Sequence, residues 1–454
     1  MQASVAAGVA ATDKETVAGP MAGIGMWWTA AVLSLLYILS YVDRTIAAHL
    51  VDPIKHSFSL SDFEMSLILG PAFGFTYALA SIPAGWFADR FDRRIVIMCG
   101  VLFWSLMTIA CGFATSAVAL VAARMMVAIG EATLGPAAAS LIADRFPPRH
   151  LGAGMAVYQS GAKLGSSLGY FVAAGAIVVA TALAAPGALI SGHQPWQLVF
   201  VLVGLPGLVV AFLPLTFSKV ARTTPRKSKA SGASKGELIN FLREHKRIFL
   251  PLILAFLLIA IPGGAMNAWL PTFMSRTFDW TPAIYGPKLG VTTAIAAMAV
   301  IPNGLLIDWL YKRGVRDASL RILTYLLMFA VPLAASVFFL GPDYFVIGIG
   351  LLQFVVLSYP FFVLTSVQVI TPSHLRGRMT GVLIALVPIF SQGLGPMLIG
   401  AMTDFLFEDP KKIGVALAIV ATTAISGGFI LLRVVLARVG PLLPPAQPNA
   451  RDNV

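Results

Sequence analysis

Long apolar runs alternate with short polar segments along the chain, and this alternation is its clearest pattern. A helix needs about 20 apolar residues to cross a hydrocarbon core of about 30 Å, and every run is long enough. The pattern predicts membrane helices at 26–50, 65–88, 95–114, 117–144, 151–180, 197–217, 248–275, 283–310, 319–341, 344–370, 377–403 and 412–437. We therefore expect an all-α integral membrane protein with twelve transmembrane helices.

The composition and charge of the chain are those expected of a protein that lies in a membrane. Hydrophobic residues make up 58% of the chain and charged residues 11%, whereas a soluble globular chain carries about 25% charged residues. If both termini face the cytoplasm, most lysines and arginines fall on the cytoplasmic side, as the positive-inside rule requires. This distribution predicts a position in an inner cell membrane with both termini cytoplasmic. It also explains the formal net charge of +12, which therefore does not indicate a nucleic-acid partner.

A charged turn follows the second apolar run. The string GWFADRFDRR occupies 85–94, and a weaker copy, GLLIDWLYKR, occupies 304–313. Because charge this dense cannot lie in hydrocarbon, each string predicts a tight turn where two helices meet water. A turn repeated at about half the chain length indicates two homologous six-helix halves. We expect gating roles for the residues of this motif: Gly85, Asp89, Arg90, Arg93, Arg94 and Asp308.

The repeat divides the chain into two halves, a linker and two tails. The predicted cytoplasmic tails are 1–25 and 439–454, the halves are 26–217 and 248–438, and the cytoplasmic linker is 218–247. The linker is rich in Ser, Gly and Lys. Its later part has the polarity of a short amphipathic helix on the inner leaflet, although a solvated linker explains the composition as well.

Five ionisable residues fall at membrane depth: Asp43, Arg44, Arg124, Glu131 and Lys163. Inserting a charged side chain at the centre of a bilayer costs at least ~2.5 kcal/mol, so each of these residues is expected to have a structural or functional role. The second half has no ionisable residue at comparable depth. Counting along the helices places Asp43 and Arg124 at one level, with Glu131 on the same face as Arg124 and two turns further on. We expect Arg124 to pair with Asp43 or Glu131 in at least one conformation.

These buried groups predict proton coupling. A carboxylate beside an arginine stays ionised, whereas one that loses its partner in a low dielectric takes up a proton. Exchange of partners during a rocking motion would convert a proton gradient into a conformational bias. We interpret Asp43, Arg44, Arg124 and Glu131 as the proton-coupling set. The alternative is that they form static ion pairs that hold helices together.

The turn string at 85–94 resembles the loop motif of the major facilitator superfamily of transporters. Three further strings are similar to motifs of the spinster family of lipid transporters: YVDR at 41–44, GEA at 130–132 and LGSSLGY at 164–170. The resemblance implies that Asp43, Arg44 and Glu131 couple protons and that the substrate belongs with sphingosine-1-phosphate or lysophospholipids. Organic-anion symporters of the superfamily carry similar strings, so they remain an alternative, as does a multidrug exporter.

The polarity of the two halves differs, and this difference favours an amphipathic substrate. Its polar head would lie near the charges of the first half, and its apolar tail would run along the seventh and tenth helices. The candidate substrate-binding residues are Arg44, Glu131, Lys163, Tyr41, Asn267, Trp269, Phe354, Tyr359 and Gln392.

The sequence lacks the signatures of other functional classes. It has no GxSxG string, no phosphate-binding GxxxxGK[ST] loop and no His/Cys/Asp cluster at metal-ligand spacing, so we expect no enzyme, no cofactor and no metal. Two repeats indicate a rocking transporter rather than a channel built around an axis. We expect a monomer whose partners are protons, a small amphipathic molecule and the lipid bilayer.

Overall fold

The computed structural model describes residues 20–187, 192–218 and 236–443, and within these ranges the secondary structure is helical. Twelve of the described helices are long and apolar enough to span a membrane. The predicted all-α fold with twelve spans is therefore confirmed. Most of the predicted tails and of the linker lies outside the described residues.

We number the twelve spans α1 to α12 in chain order. Those of the first half are α1 Gly23–His49, α2 Asp62–Arg90, α3 Arg93–Cys111, α4 Ala117–Arg145, α5 Arg149–Ala184 and α6 Pro195–Thr216. Those of the second half are α7 Lys246–Phe278, α8 Pro282–Lys312, α9 Ala318–Phe339, α10 Pro342–Ile370, α11 Arg376–Leu406 and α12 Pro410–Leu436. Short helices at Val51–Phe58 and Glu237–Glu244 flank the spans, and the second of them lies where a linker helix was predicted.

The bundle has two ends, which we call the linker side and the Arg276 side. The linker side holds the turns between α2 and α3 and between α4 and α5, together with the start of α7. The Arg276 side, at the opposite end, holds the connections 50–61 and 279–281 and the last turn of α7. Each half threads back and forth between these ends.

Two glycines on α5 bring that helix against α1. A Cβ added at Gly161 would lie 2.5 Å from the carbonyl oxygen of Ser34, and one at Gly165 would lie 2.7 Å from that of Ile38. Side chains at these positions would force the helices apart, so glycine is what permits this close backbone approach. The contact fixes the orientation of Lys163, which lies between the two glycines and lines a cavity shared with α1.

The helix α11 departs from regular α geometry where it faces that cavity. Residues Ile389–Leu394 form a π-helical segment, a wider turn that often occurs at functional sites. The segment carries Ser391 and Gln392 to the cavity wall. Opposite it, α7 approaches so closely at Gly264 that a Cβ there would overlap the backbone of Ser391. The second half thus contributes polar groups from a distorted rather than a regular helix.

Candidate functional site

A cavity of about 310 Å³ lies between the two halves. Its wall carries three cations, Arg44, Arg124 and Lys163, all from the first half, and no carboxylate among the described residues. The second half contributes mainly small and apolar side chains, with Asn267 and Gln392 among its polar groups. The predicted contrast between a charged first half and an apolar second half is therefore present at this cavity.

Glu131 forms a buried ion pair behind the cavity wall. Its side chain is 1% exposed, and its Oε2 accepts hydrogen bonds from Nε of Arg44 and from the hydroxyl of Ser40, each at 2.6 Å. Ser40 and Arg44 are four residues apart on α1, so they share one helical face. The Arg44 guanidinium also lies 4.9 Å and 4.7 Å from the ring centroids of Tyr41 and Tyr77. The pair joins α1 to α4 and holds Arg44 at the cavity.

Asp43 and Arg124 lie close together but are not ion-paired. Oδ2 of Asp43 accepts a hydrogen bond from the Thr108 hydroxyl at 3.0 Å, and Nη1 of Arg124 donates to the backbone carbonyl oxygen of Asp43 at 3.4 Å. Oδ1 of Asp43 and Nε of Arg124 are buried without a hydrogen-bond partner in the described part of the chain. The predicted pairing of Arg124 is thus absent from this conformation, because Arg44 binds Glu131 and α3 holds the Asp43 carboxyl.

Lys163 contacts the other half of the bundle. Its Nζ donates a hydrogen bond to the backbone carbonyl oxygen of Leu357 on α10, at 3.1 Å. The two residues are 194 positions apart in the sequence, and both line the cavity. The ammonium group therefore links the halves across the candidate binding site.

The remaining candidate substrate residues divide into two groups. Tyr41, Asn267, Tyr359 and Gln392 line the cavity, as the substrate hypothesis requires.

Trp269 and Phe354 are not among the residues that line the cavity in this conformation, so their contact with the substrate stays a prediction. Trp269 is fully buried, and its indole N–H donates to the carbonyl oxygen of Pro396 at 3.0 Å, so it packs α7 onto α11. Phe354 is half-buried and lies three positions before the wall residue Leu357. In this conformation both side chains lie outside the cavity wall.

Sequence reasoning missed three polar groups of the site: Ser40, Thr108 and Ser391. Ser40 lies one helical turn before Arg44, a spacing that places both on one face and was a usable signal. Thr108 and Ser391 had no comparable signal, because their roles depend on how α3 and α11 are rotated about their axes.

Polar contacts close the bundle on the Arg276 side. Nη2 of Arg276 is 2.6 Å from Oδ1 of Asp52, and its Nη1 is 2.8 Å from Oδ2 of Asp62. Lys55 forms a further ion pair with Asp62. Asp404 of α11 accepts hydrogen bonds from the first backbone N–H groups of α2, at 3.3 and 2.6 Å. Two residues of the second half, Arg276 and Asp404, thus bind the first half at this end.

A histidine–tyrosine pair joins the halves between this closure and the cavity. Nδ1 of His49 lies 3.2 Å from the hydroxyl of Tyr285, and the rings stack with centroids 5.6 Å apart. Both residues line a second cavity of about 520 Å³ on the Arg276 side. Ala48 lines both cavities, so the wall between them is one residue thick at that point.

The arginines of the charged turn bind elements of the first half together on the linker side. Arg93 forms an ion pair with Asp144 near the end of α4. Nη1 of Arg94 donates to the carbonyl oxygen of Phe217 at 2.8 Å, just beyond the end of α6. These contacts join α3 to α4 and α6.

The other motif residues lie where the motif predicted them. Gly85, Asp89 and Arg90 belong to the last two turns of α2, and Asp308 is an exposed residue near the end of α8. The Arg90 guanidinium lies 4.8 Å from the ring centroid of Trp86. Their role in gating stays a prediction.

A family model described as the Major Facilitator Superfamily matches residues 33–398. The chain belongs to this superfamily.

Known relatives refine the comparison. An MFS-type efflux pump of Mycolicibacterium smegmatis is 29% identical over 84% of this chain and 86% of its own length. The sphingosine-1-phosphate transporter SPNS2 of Mus musculus is 29% identical over 54% of this chain and 43% of its own length. A solved bacterial homologue of the human lysosomal transporter Spinster, inward-facing and unoccupied, has a TM-score of 0.72 at 23% identity and covers 92% of this chain and 96% of that one.

These findings confirm the resemblance to the spinster family. They also make the protein a transporter and not an enzyme, since the superfamily and the structural neighbours are transporters. The cavity between the halves is accordingly its candidate substrate site.

The buried ion pair gives a first prediction about stability. Glu131→Ala should lower the free energy of unfolding by about 3 kcal/mol, because it leaves Arg44 buried without its partner. Glu131→Ala combined with Arg44→Ala should unfold at a higher temperature than Glu131→Ala alone. Thermal unfolding of the purified protein in detergent measures both, with the exposed Asp343→Ala as control. A double variant that melts at or below the single variant would contradict the pairing.

The ion pairs of Arg276 that join the two halves give a second prediction, which concerns conformation. Arg276→Met should separate the halves on the Arg276 side, because α7 of the second half then loses its ion pairs with Asp52 and Asp62 of the first half. Spin labels at Thr115→Cys and Asp343→Cys, in a background lacking Cys99 and Cys111, would report the distance across that side by electron–electron double resonance. We expect a population at longer distance.

Lys411→Met is the matched control for that experiment, since Lys411 is an exposed cation on the same side. It should leave the distance distribution unchanged. If Arg276→Met also leaves it unchanged, the ion pairs do not hold the bundle closed.

Proposed function

We propose that the protein is a proton-coupled secondary transporter of an amphipathic small molecule, of the lysolipid or sphingolipid kind, that works by alternating access. One observation carries the proposal: two buried carboxyls, Asp43 and Glu131, lie directly behind a cavity wall made of cations. One of them is ion-paired and the other is hydrogen-bonded to a neutral hydroxyl. This arrangement can hold and release protons in response to what enters the cavity.

Arg44 is the element through which substrate and proton communicate. It lines the cavity and also binds Glu131 at 2.6 Å. A polar substrate head that attracts the guanidinium draws it away from Glu131, and a buried carboxylate that loses its cation takes up a proton. The substrate and the proton are therefore bound or released in a linked way.

The walls of the cavity support an amphipathic ligand. The cations of the first half suit a polar head. On α10 and α7, Val356, Leu357 and Ala260 form an apolar surface along which a hydrocarbon chain can lie. These residues are the contacts that we assign to the chain in this conformation.

The positive-inside rule makes the linker side cytoplasmic in this proposal, with the protein in the inner membrane and acting as a monomer. The closure by Arg276 and by the His49–Tyr285 pair is then on the outer face. A bundle closed on the outer face supports an inward-facing state, which agrees with the state of the Spinster homologue that it resembles.

The alternatives are a proton-coupled symporter of small organic anions and a multidrug exporter. The cations of the cavity wall suit an organic anion as well as a lipid head, and the mycobacterial relative is an efflux pump. The apolar surface of α10 favours a ligand with a chain.

Coupling gives a third prediction. Asp43→Asn and Glu131→Gln should each lose uptake of a lysolipid driven by a proton gradient, because an amide of the same shape cannot exchange a proton. Uptake into liposomes that contain the purified protein measures this, with and without the gradient. Both variants should remain folded, as judged by size-exclusion chromatography in detergent.

Asp343→Asn is the matched control, since Asp343 is an exposed carboxylate at the start of α10. It should transport at the wild-type rate. Gradient-driven uptake at the wild-type rate by both cavity variants would overturn proton coupling through these residues.

Chain length gives a fourth prediction. Each buried methylene contributes ~0.8 kcal/mol, so two further carbons should tighten binding of a lysolipid by roughly tenfold until the cavity is full. Displacement of a fluorescent lysolipid by a series of chain lengths measures the slope. A flat series, together with strong competition from a sugar acid or an aromatic carboxylate, would transfer the assignment to the organic-anion symporters.

A further inference from the structure

Within the described ranges, Lys163 is the wall cation that hydrogen-bonds to the second half of the bundle. Its Nζ donates to the Leu357 carbonyl oxygen at 3.1 Å, and it forms no ion pair with any residue that the structure describes. An ammonium group donates up to three hydrogen bonds and binds most strongly to an anionic acceptor. A neutral carbonyl is therefore a weak partner, and an anion in the cavity would displace it.

The contact falls where α10 is weakened. Pro360 lies inside the helix, three residues after Leu357. A proline has no backbone N–H, so the carbonyl of Val356 loses its intrahelical donor, and the proline ring crowds that same carbonyl. Lys163 thus binds α10 beside its least supported turn, and the bond contributes to holding that turn against α5.

The other charges of the site are already engaged with the first half. Arg44 binds Glu131, and Arg124 contacts the backbone of Asp43. Both belong to the same half as their partners, so moving them does not by itself separate the halves. Lys163 differs in this respect, because its partner lies in the other half.

We propose that Lys163 determines specificity for the charge of the substrate head. We call its hydrogen bond to Leu357, which holds α10 against α5, the Lys163 tether. An anionic head, such as a phosphate monoester, takes the ammonium from the Leu357 carbonyl and thereby releases α10 from α5. A neutral head leaves the tether in place. The inference rests on the proposed function and adds to it the charge of the head and the residue that selects it.

Head-group preference tests the first part. Three ligands with the same oleoyl chain are compared by displacement of a fluorescent lysolipid: lysophosphatidic acid, lysophosphatidylcholine and mono-oleoylglycerol. The wild type should bind the anionic lysolipid about tenfold more tightly than the neutral one, as a charge-assisted hydrogen bond implies. Lys163→Gln should lose that preference while it binds mono-oleoylglycerol as before, and Lys163→Arg should keep most of it.

Distance measurements test the tether itself. Spin labels at Arg149→Cys and Ser373→Cys, exposed positions of the two halves on the linker side, report the separation there in a background lacking Cys99 and Cys111. Lysophosphatidic acid should shift the distance distribution of the wild type, and mono-oleoylglycerol should not. Lys163→Met, which has no donor for the Leu357 carbonyl, should show a shifted distribution without any ligand.

Lys288→Gln is the matched control, because Lys288 is an exposed lysine outside the cavity whose Nζ lies 4.6 Å from the ring centroid of Trp280. It should behave as the wild type in both assays. An unchanged head preference in Lys163→Gln, or a ligand-free distance distribution of Lys163→Met identical to that of the wild type, overturns the inference.

The failure of the inference and the failure of the proposed function give different results. If the wild type binds the charged and neutral oleoyl ligands equally, Lys163 does not select the head, and the proposal that the protein transports an amphipathic molecule is unaffected. If none of the three ligands binds the wild type, the lipid assignment fails and head selection fails with it.

Discussion

The arrangement of this bundle depends on one constraint, the free-energy cost of burying a charged side chain in the low dielectric of the membrane interior. Arg44 and Ser40 both donate hydrogen bonds to Oε2 of Glu131, whereas its Oε1 is buried without a partner in the described part of the chain. These hydrogen bonds tie α1 to α4 and fix which face of α1 looks into the cavity. The wall therefore shows cations to a ligand, while the carboxyls lie behind them. In the proposed mechanism, affinity for a polar head and the ability to hold a proton both depend on this one packing arrangement.

The sequence predicts this architecture well because hydrophobic length is a one-dimensional property. All twelve spans follow from the runs of apolar residues, and the charged turn locates the end of α2. Counting residues also places Asp43 and Arg124 at one depth, and the structure brings them within 3.4 Å. Depth along a helix can be counted, so it can be predicted.

Rotation about a helix axis cannot be counted in this way, and the differences between prediction and structure lie there. Trp269 and Asn267 are two residues apart, yet only Asn267 reaches the cavity. The choice between Arg44 and Arg124 as the partner of Glu131 depends on the same variable, which tertiary packing sets. The carboxylate partners of Arg276 are more than 200 residues away in the chain, and no local pattern connects them.

Ala48 lines both cavities, and this has a consequence for the leakage of water and ions across the membrane. A transporter must never let water connect the two sides of the membrane through its cavities. Where two cavities approach from opposite directions and only one residue separates them, the seal is as good as the packing of that residue. A short path also means that a small displacement transfers access from one side to the other. In the proposed alternating-access cycle, the ease of switching and the quality of the seal would therefore both depend on the packing at the end of α1.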